Sequence, residues 1–105
     1  MSDGIQLASA LASLRDSLAR LSTRLDSPQL AVRATRARIR ANEAMKKLAA
    51  HLAAGTLPSV PDDLVKRVFE AGGLVSLANP DNEGAVTEAL KAAEAVLAVV
   101  EKLVG

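Results

Sequence analysis

The chain holds one histidine, His51, the side chain best suited to chemistry near neutral pH. Its imidazole could act as an axial haem ligand, as a lone metal ligand or as a general base. Alanines on the same helix face would leave room for a bound group, and Arg33 or Arg40 could meet its carboxylates. A small-molecule or haem-type cofactor pocket that uses His51 is therefore one alternative. The competing interpretation is a boundary histidine near a helix C-terminus, where the charged form complements the dipole.

The components of a Ser–His–Asp site are also present, namely Ser59, His51 and the pair Asp62 and Asp63. A serine at a helix N-terminus lies near backbone N–H groups that could form an oxyanion hole. No Gly-x-Ser-x-Gly elbow surrounds Ser59, however, and a plain helix cap explains the same residue. An esterase-like hydrolase that uses Ser59 and His51 is therefore a second alternative.

Residue spacing argues against several other kinds of site. No second histidine, cysteine or carboxylate stands at metal-ligand spacing from His51, which disfavours zinc. Gly72, Gly73 and Gly84 fit neither a P-loop nor a dinucleotide fingerprint. The arginines between positions 33 and 40 spread around a helix, and one phenylalanine offers little stacking surface. We do not expect a metal or a nucleic-acid partner.

The composition predicts an all-α fold in a single domain over residues 1–105. The chain has 21 alanines and 16 leucines, which are strong helix formers, and it lacks tryptophan, tyrosine and cysteine. No apolar run reaches the length of a membrane span, and the N-terminus lacks a basic signal-peptide region. We expect a soluble protein without a membrane partner, cytoplasmic if it is expressed in a cell.

Two long helices with complementary faces are predicted in the first half. Helix 1 (about 3–25) carries leucines at 4-3-4 spacing: Leu7, Leu11, Leu14, Leu18, Leu21 and Leu25. Helix 2 (about 28–54) begins with Ser27-Pro28 and stops at Gly55. Its inner stripe is mostly alanine, so large side chains would pack into small ones: Leu30, Ala34, Ala37, Ala41, Ala44, Leu48 and Leu52. A weaker outer stripe comprises Val32, Ile39, Ala50 and Ala53.

The second half predicts two more helices. Helix 3 (about 60–78) would be capped by Ser59 and broken at Gly72–Gly73, because two glycines cost about 2 kcal/mol relative to alanine inside a helix. A continuous, kinked helix is the alternative. Helix 4 (about 83–104) follows the turn at 79–82 and has a very wide apolar arc. We therefore expect a homo-oligomer, with self-association at Val96, Val99, Val100 and Leu103.

The two halves of the chain have opposite charge. Residues 1–55 carry a net charge of +5 and residues 56–105 carry −4. The favoured interpretation is that the halves pack on one another, or on a second copy, with complementary fields. A basic face for nucleic acid or anionic lipid is the sharper alternative.

The segment Phe69-Glu70-Ala71-Gly72-Gly73-Leu74-Val75-Ser76-Leu77, with Asn79-Pro80-Asp81 and an alanine-rich helix, resembles an armadillo-type repeat over residues 69–100. That resemblance implies stacked helices, but the second helix is short and the peptide-binding asparagine is missing. The whole chain is similar to computationally designed helical bundles in its Ser-Pro helix start, Asn-Pro-Asp turn and regular leucine spacing. The leading hypothesis is a de novo designed structural protein that self-associates and has no natural catalytic activity.

Overall fold

A computed structural model describes residues 3–105. It contains four helices, α1 (Asp3–Ser22), α2 (Pro28–Ala54), α3 (Leu64–Leu77) and α4 (Glu83–Val104). The predicted all-α, four-helix bundle is confirmed, and α2 and α4 have the predicted bounds. Helix α1 ends earlier than residue 25, because the chain enters a turn in which the Arg24 N–H donates to the Leu21 carbonyl.

The helices form two antiparallel hairpins, α1–α2 and α3–α4, that pack side by side. Both α1 and α4 pack against α2 and α3, so α1 and α4 lie on opposite corners of the bundle. Arg33 pairs with Glu94 and Arg40 pairs with Glu101. The second pair lies seven residues after the first on both helices, so α2 and α4 run parallel. Because α3 runs antiparallel to α4, it begins at the end of the bundle where α2 stops, and the nine residues between α2 and α3 cross that end diagonally.

The leucines of α1 and the alanines of α2 form one side of the core. Ladder positions from Leu7 to Leu21 are at most 3% exposed, and the alanine stripe is at most 2% exposed. These two faces meet where α1 packs on α2, as the large-into-small pattern predicted. This packing covers the alanine stripe, so the stripe does not line an open cavity.

Helix α3 differs from its predicted form, because it is continuous through Gly72 and Gly73. The predicted break is wrong, and the alternative of one helix is observed. Gly72 is buried against α1, where an added Cβ would lie 3.6 Å from the Leu14 Cα. This close packing of two helices offsets the local cost of glycine. The helix also begins at Leu64, after a turn in which the Leu64 N–H donates to Pro61, so Ser59 does not cap it.

Local capping chemistry fixes the other helix ends. The Ser27 hydroxyl accepts from the Leu30 N–H, and the Asn82 side chain accepts from the Ala85 N–H. Gly55 ends α2 with a φ of 69°, in the left-handed region that favours glycine. Within residues 3–105, no helix has the length and apolar character needed to cross a membrane.

Candidate functional sites

His51 lies in the last turn of α2 and joins three parts of the chain. Its Nδ1 atom is 2.7 Å from the Thr56 hydroxyl oxygen, and its Nε2 atom is 2.9 Å from the Val104 carbonyl oxygen. Thr56 follows the Gly55 cap, and its own N–H donates to the His51 carbonyl at 3.0 Å. The imidazole therefore links the end of α2 to the end of α4.

These contacts fix the tautomer of His51. A carbonyl oxygen only accepts, so Nε2 must carry the proton that is donated to Val104. In the neutral ring Nδ1 then has a free lone pair, and it accepts the hydrogen bond from the Thr56 hydroxyl. The side chain is held in one orientation by two partners.

This geometry changes both of the chemical hypotheses for His51. Each ring nitrogen has a hydrogen-bond partner, so haem ligation would require one of these two bonds to break. Ser59 is exposed and lines a cavity of about 310 Å³ that His51 also lines. The hydroxyl that is hydrogen-bonded to the imidazole, however, belongs to Thr56, which matches none of the sequence motifs. Its signal was the Gly55 cap, which turns the chain back toward the last turn of α2.

An open groove lies beside the His51–Thr56 pair. It has a volume of about 440 Å³ and is lined mainly by apolar atoms of Ala50, Ala54 and Val104. Lys47 stands at its edge, one helical turn before His51. The groove thus places one cation and an apolar floor next to an oriented imidazole.

Two arginine–glutamate ion pairs join α2 to α4. The Arg33 and Arg40 guanidinium groups each donate two hydrogen bonds, to Glu94 and Glu101, with the shortest distances 2.7 and 2.6 Å. These hydrogen bonds are the main cause that lowers the pKa of both glutamates and raises the pKa of both arginines. The expected charge complementarity of the two halves is confirmed here. Both arginines are engaged by glutamates, which compete with any carboxylate of a bound cofactor.

The second candidate site is the outer face of α3. Phe69, Leu74 and Leu77 are 46%, 53% and 86% exposed, so half of the most exposed large apolar side chains of residues 3–105 lie on this short helix. Between positions 69 and 80, Glu70 is the only charged residue. An apolar, nearly uncharged face of this kind is typical of an interaction surface.

The residues of α4 that were predicted to mediate self-association differ in their burial. Val96 and Val100 are buried within the chain, and Val99 and Leu103 are partly buried. The wide apolar arc of α4 is used internally because α4 packs against both α2 and α3. The outer stripe of α2 does remain exposed, with Val32 at 49% and Ile39 at 48%.

Across residues 3–105, no three histidine, aspartate or glutamate side chains come close enough together to hold a metal ion. Comparisons with family models, curated proteins and solved structures give no match to the chain.

Proposed function

We propose that the protein is a structural helical module that pairs with a second copy of itself through the outer face of α3. The observation that carries this proposal is the line formed by Phe69, Gly73 and Leu77, three residues at successive spacings of four. Positions spaced by four stack along one side of a helix. This line therefore presents a notch between two large exposed apolar side chains.

Within residues 3–105, no close contact requires a glycine at position 73. A Cβ built at this position would meet nothing within 4 Å, whereas one at Gly72 would touch Leu14. An interior helix glycine costs about 1 kcal/mol relative to alanine, so a neutral position would gain from a side chain. A partner helix that crosses at Gly73 supplies the missing reason, because glycine lets two backbones approach closely.

An antiparallel crossing of two α3 helices makes the surface complementary to itself. Phe69 of each copy then faces Leu77 of the other, and the contact has two-fold symmetry.

The exposed apolar residues of α2 are less suited to such a contact. Arg36 stands between Val32 and Ile39 on the exposed side of α2, so a helix packed there would have to desolvate a charge. The α3 line has glycine in the corresponding place. This difference supports α3 as the association surface, and the regular caps at Ser27 and Asn82 support the likeness to designed structural bundles.

Sedimentation equilibrium tests the proposal. We expect the wild-type mass to rise with concentration from 10.9 kDa toward twice that value. Leu77→Glu should hold the protein at the monomer mass, whereas the matched control Ile39→Glu, on α2, should leave the association unchanged. A wild-type mass of 10.9 kDa at millimolar concentration would refute self-association, and equal effects of both variants would refute the assignment to α3.

A further inference from the structure

We propose that Thr56 and His51 form an acyl-transfer site for small, activated carboxylic esters, at the end of the bundle and separate from the α3 face. A nucleophilic hydroxyl must lie within hydrogen-bond reach of a general base, and the base must be oriented by a third group. The Thr56 oxygen is 2.7 Å from Nδ1 of His51, and the Val104 carbonyl holds Nε2 at 2.9 Å.

The third group also selects the tautomer of the neutral ring. Because the Val104 carbonyl accepts a hydrogen bond from the Nε2–H group, the Nδ1 lone pair of the neutral ring points at the Thr56 hydroxyl. This is the state that a general base needs before reaction. Thr56 is exposed, so the lone pairs of its oxygen can be reached from the groove beside it.

The groove indicates the class of substrate. Its floor is formed by Ala50, Ala54 and Val104, which suits a short aliphatic acyl chain. Its volume of about 440 Å³ and its open shape admit a small ester. Lys47 is the cation at the edge, and its ammonium group would attract the negative charge that develops on the carbonyl oxygen.

The reaction proceeds in two balanced steps. The Thr56 oxygen attacks the ester carbonyl carbon and its proton passes to Nδ1 of His51. The carbon–oxygen bond to the alcohol then breaks, the alcohol leaves with the proton from Nδ1, and an acyl group remains on Thr56. In the second step water attacks the acyl carbon, its proton passes to Nδ1 and then to the threonine oxygen, and a carboxylic acid is released.

Hydrolysis of 4-nitrophenyl butyrate at pH 7.5 tests this site. General-base assistance contributes roughly 10²- to 10⁴-fold, so we expect Thr56→Val, which keeps the side-chain shape, to lower kcat/KM at least about tenfold. Thr56→Ser should keep the activity and Ser59→Ala should not change it. Because Thr56 is exposed, we expect its variants to fold, and thermal unfolding of each variant checks this.

The position of the acyl group separates this mechanism from catalysis by imidazole alone. After an acid quench, peptide mass spectrometry should find butyryl on the peptide containing Thr56, and His51→Gln should abolish that product. A rate unchanged in a folded Thr56→Val variant, or acylation confined to Lys47 or His51, would overturn the proposal. Loss of dimerisation would not affect this result, because Leu77→Glu should be as active as the wild type.

Discussion

Replacing Gly73 by alanine should have opposite effects on folding and on association. In the isolated chain the new methyl group meets nothing within 4 Å, so it introduces no clash. The substitution removes the conformational cost of glycine in the interior of α3. At the proposed crossing, in contrast, the methyl group would separate two closely packed backbones.

The magnitudes follow from these two environments. Glycine to alanine in a helix interior is worth about 1 kcal/mol, so the free energy of unfolding of the monomer should rise by about that amount. Adding atoms to a well-packed contact costs about 1–3 kcal/mol. The dissociation constant of the dimer should therefore rise roughly 5- to 150-fold.

Urea unfolding followed by circular dichroism at low micromolar concentration measures the first effect, and sedimentation equilibrium measures the second. Gly84→Ala is the matched control, because Gly84 is a helical glycine on α4, away from the α3 face. It should leave the dissociation constant unchanged. If Gly73→Ala stabilises the monomer without weakening the dimer, Gly73 does not lie at the contact and the assigned geometry is wrong.

Other perturbations test the fold itself. Glu94 and Glu101 bind protons more weakly in the folded state, because their pKa values are lowered chiefly by hydrogen bonds from their arginine partners. Their contribution to the free energy of unfolding is on the order of 1 kcal/mol for each partly exposed pair. It should be complete at neutral pH and be lost as the pH falls below the ordinary glutamate pKa and through the lowered pKa of the folded state. Urea midpoints at pH 7 and pH 3 measure this loss of stability, which should be smaller in the variant with both glutamates replaced by glutamine. Leu14→Ala removes a fully buried side chain and should lower the free energy of unfolding by about 2–5 kcal/mol. Ile39 is exposed, so Ile39→Ala should change that free energy by less than about 1 kcal/mol. Equal losses of stability in urea unfolding would contradict the described core. Asn82→Ala removes the cap of α4 and should cost about 1 kcal/mol by the same assay; an unchanged midpoint would contradict the capping bond.

The sequence predicts α2 accurately because its ends depend on local chemistry. Ser27 and Pro28 start the helix, and Gly55 stops it in a left-handed conformation that other residues adopt at a cost. The spacing of leucines and alanines is likewise a local pattern that survives in the core. These features need no knowledge of where the rest of the chain lies.

The break in α3 is predicted wrongly because the decisive contact is not local. The cost of two glycines can be read from positions 72 and 73, but the packing of Leu14 on Gly72 depends on how α1 and α3 meet. The burial of Val96 and Val100 has the same origin, since α4 is packed on two sides by helices from both hairpins. Topology decides which apolar faces remain available to a partner.

The sequence indicates only part of the candidate site at His51. A single histidine is conspicuous in the sequence, yet its two partners come from different places. Thr56 is near in sequence, and the turn at Gly55 brings it to the ring. The Val104 carbonyl comes from a residue 53 positions away along the chain. A backbone carbonyl leaves no mark in a residue pattern, so the orientation of the imidazole could be seen only in the structure.

Disulfide trapping at Gly73 tests the central claim most directly. The chain has no cysteine, so Gly73→Cys gives a single thiol at the proposed crossing. Packed helix axes lie about 8–10 Å apart, and each Cα atom lies about 2.3 Å from its axis. The two Cα atoms of position 73 would therefore be roughly 3.4–5.4 Å apart, close to the Cα–Cα distance of a disulfide. The cysteine side chain should weaken the non-covalent contact as alanine does, but oxidation traps each encounter in which the two thiols meet. We therefore predict that a covalent dimer accumulates under mild oxidation, while Ala50→Cys on the outer face of α2 stays monomeric. Equal or slower cross-linking at position 73 would contradict pairing through α3.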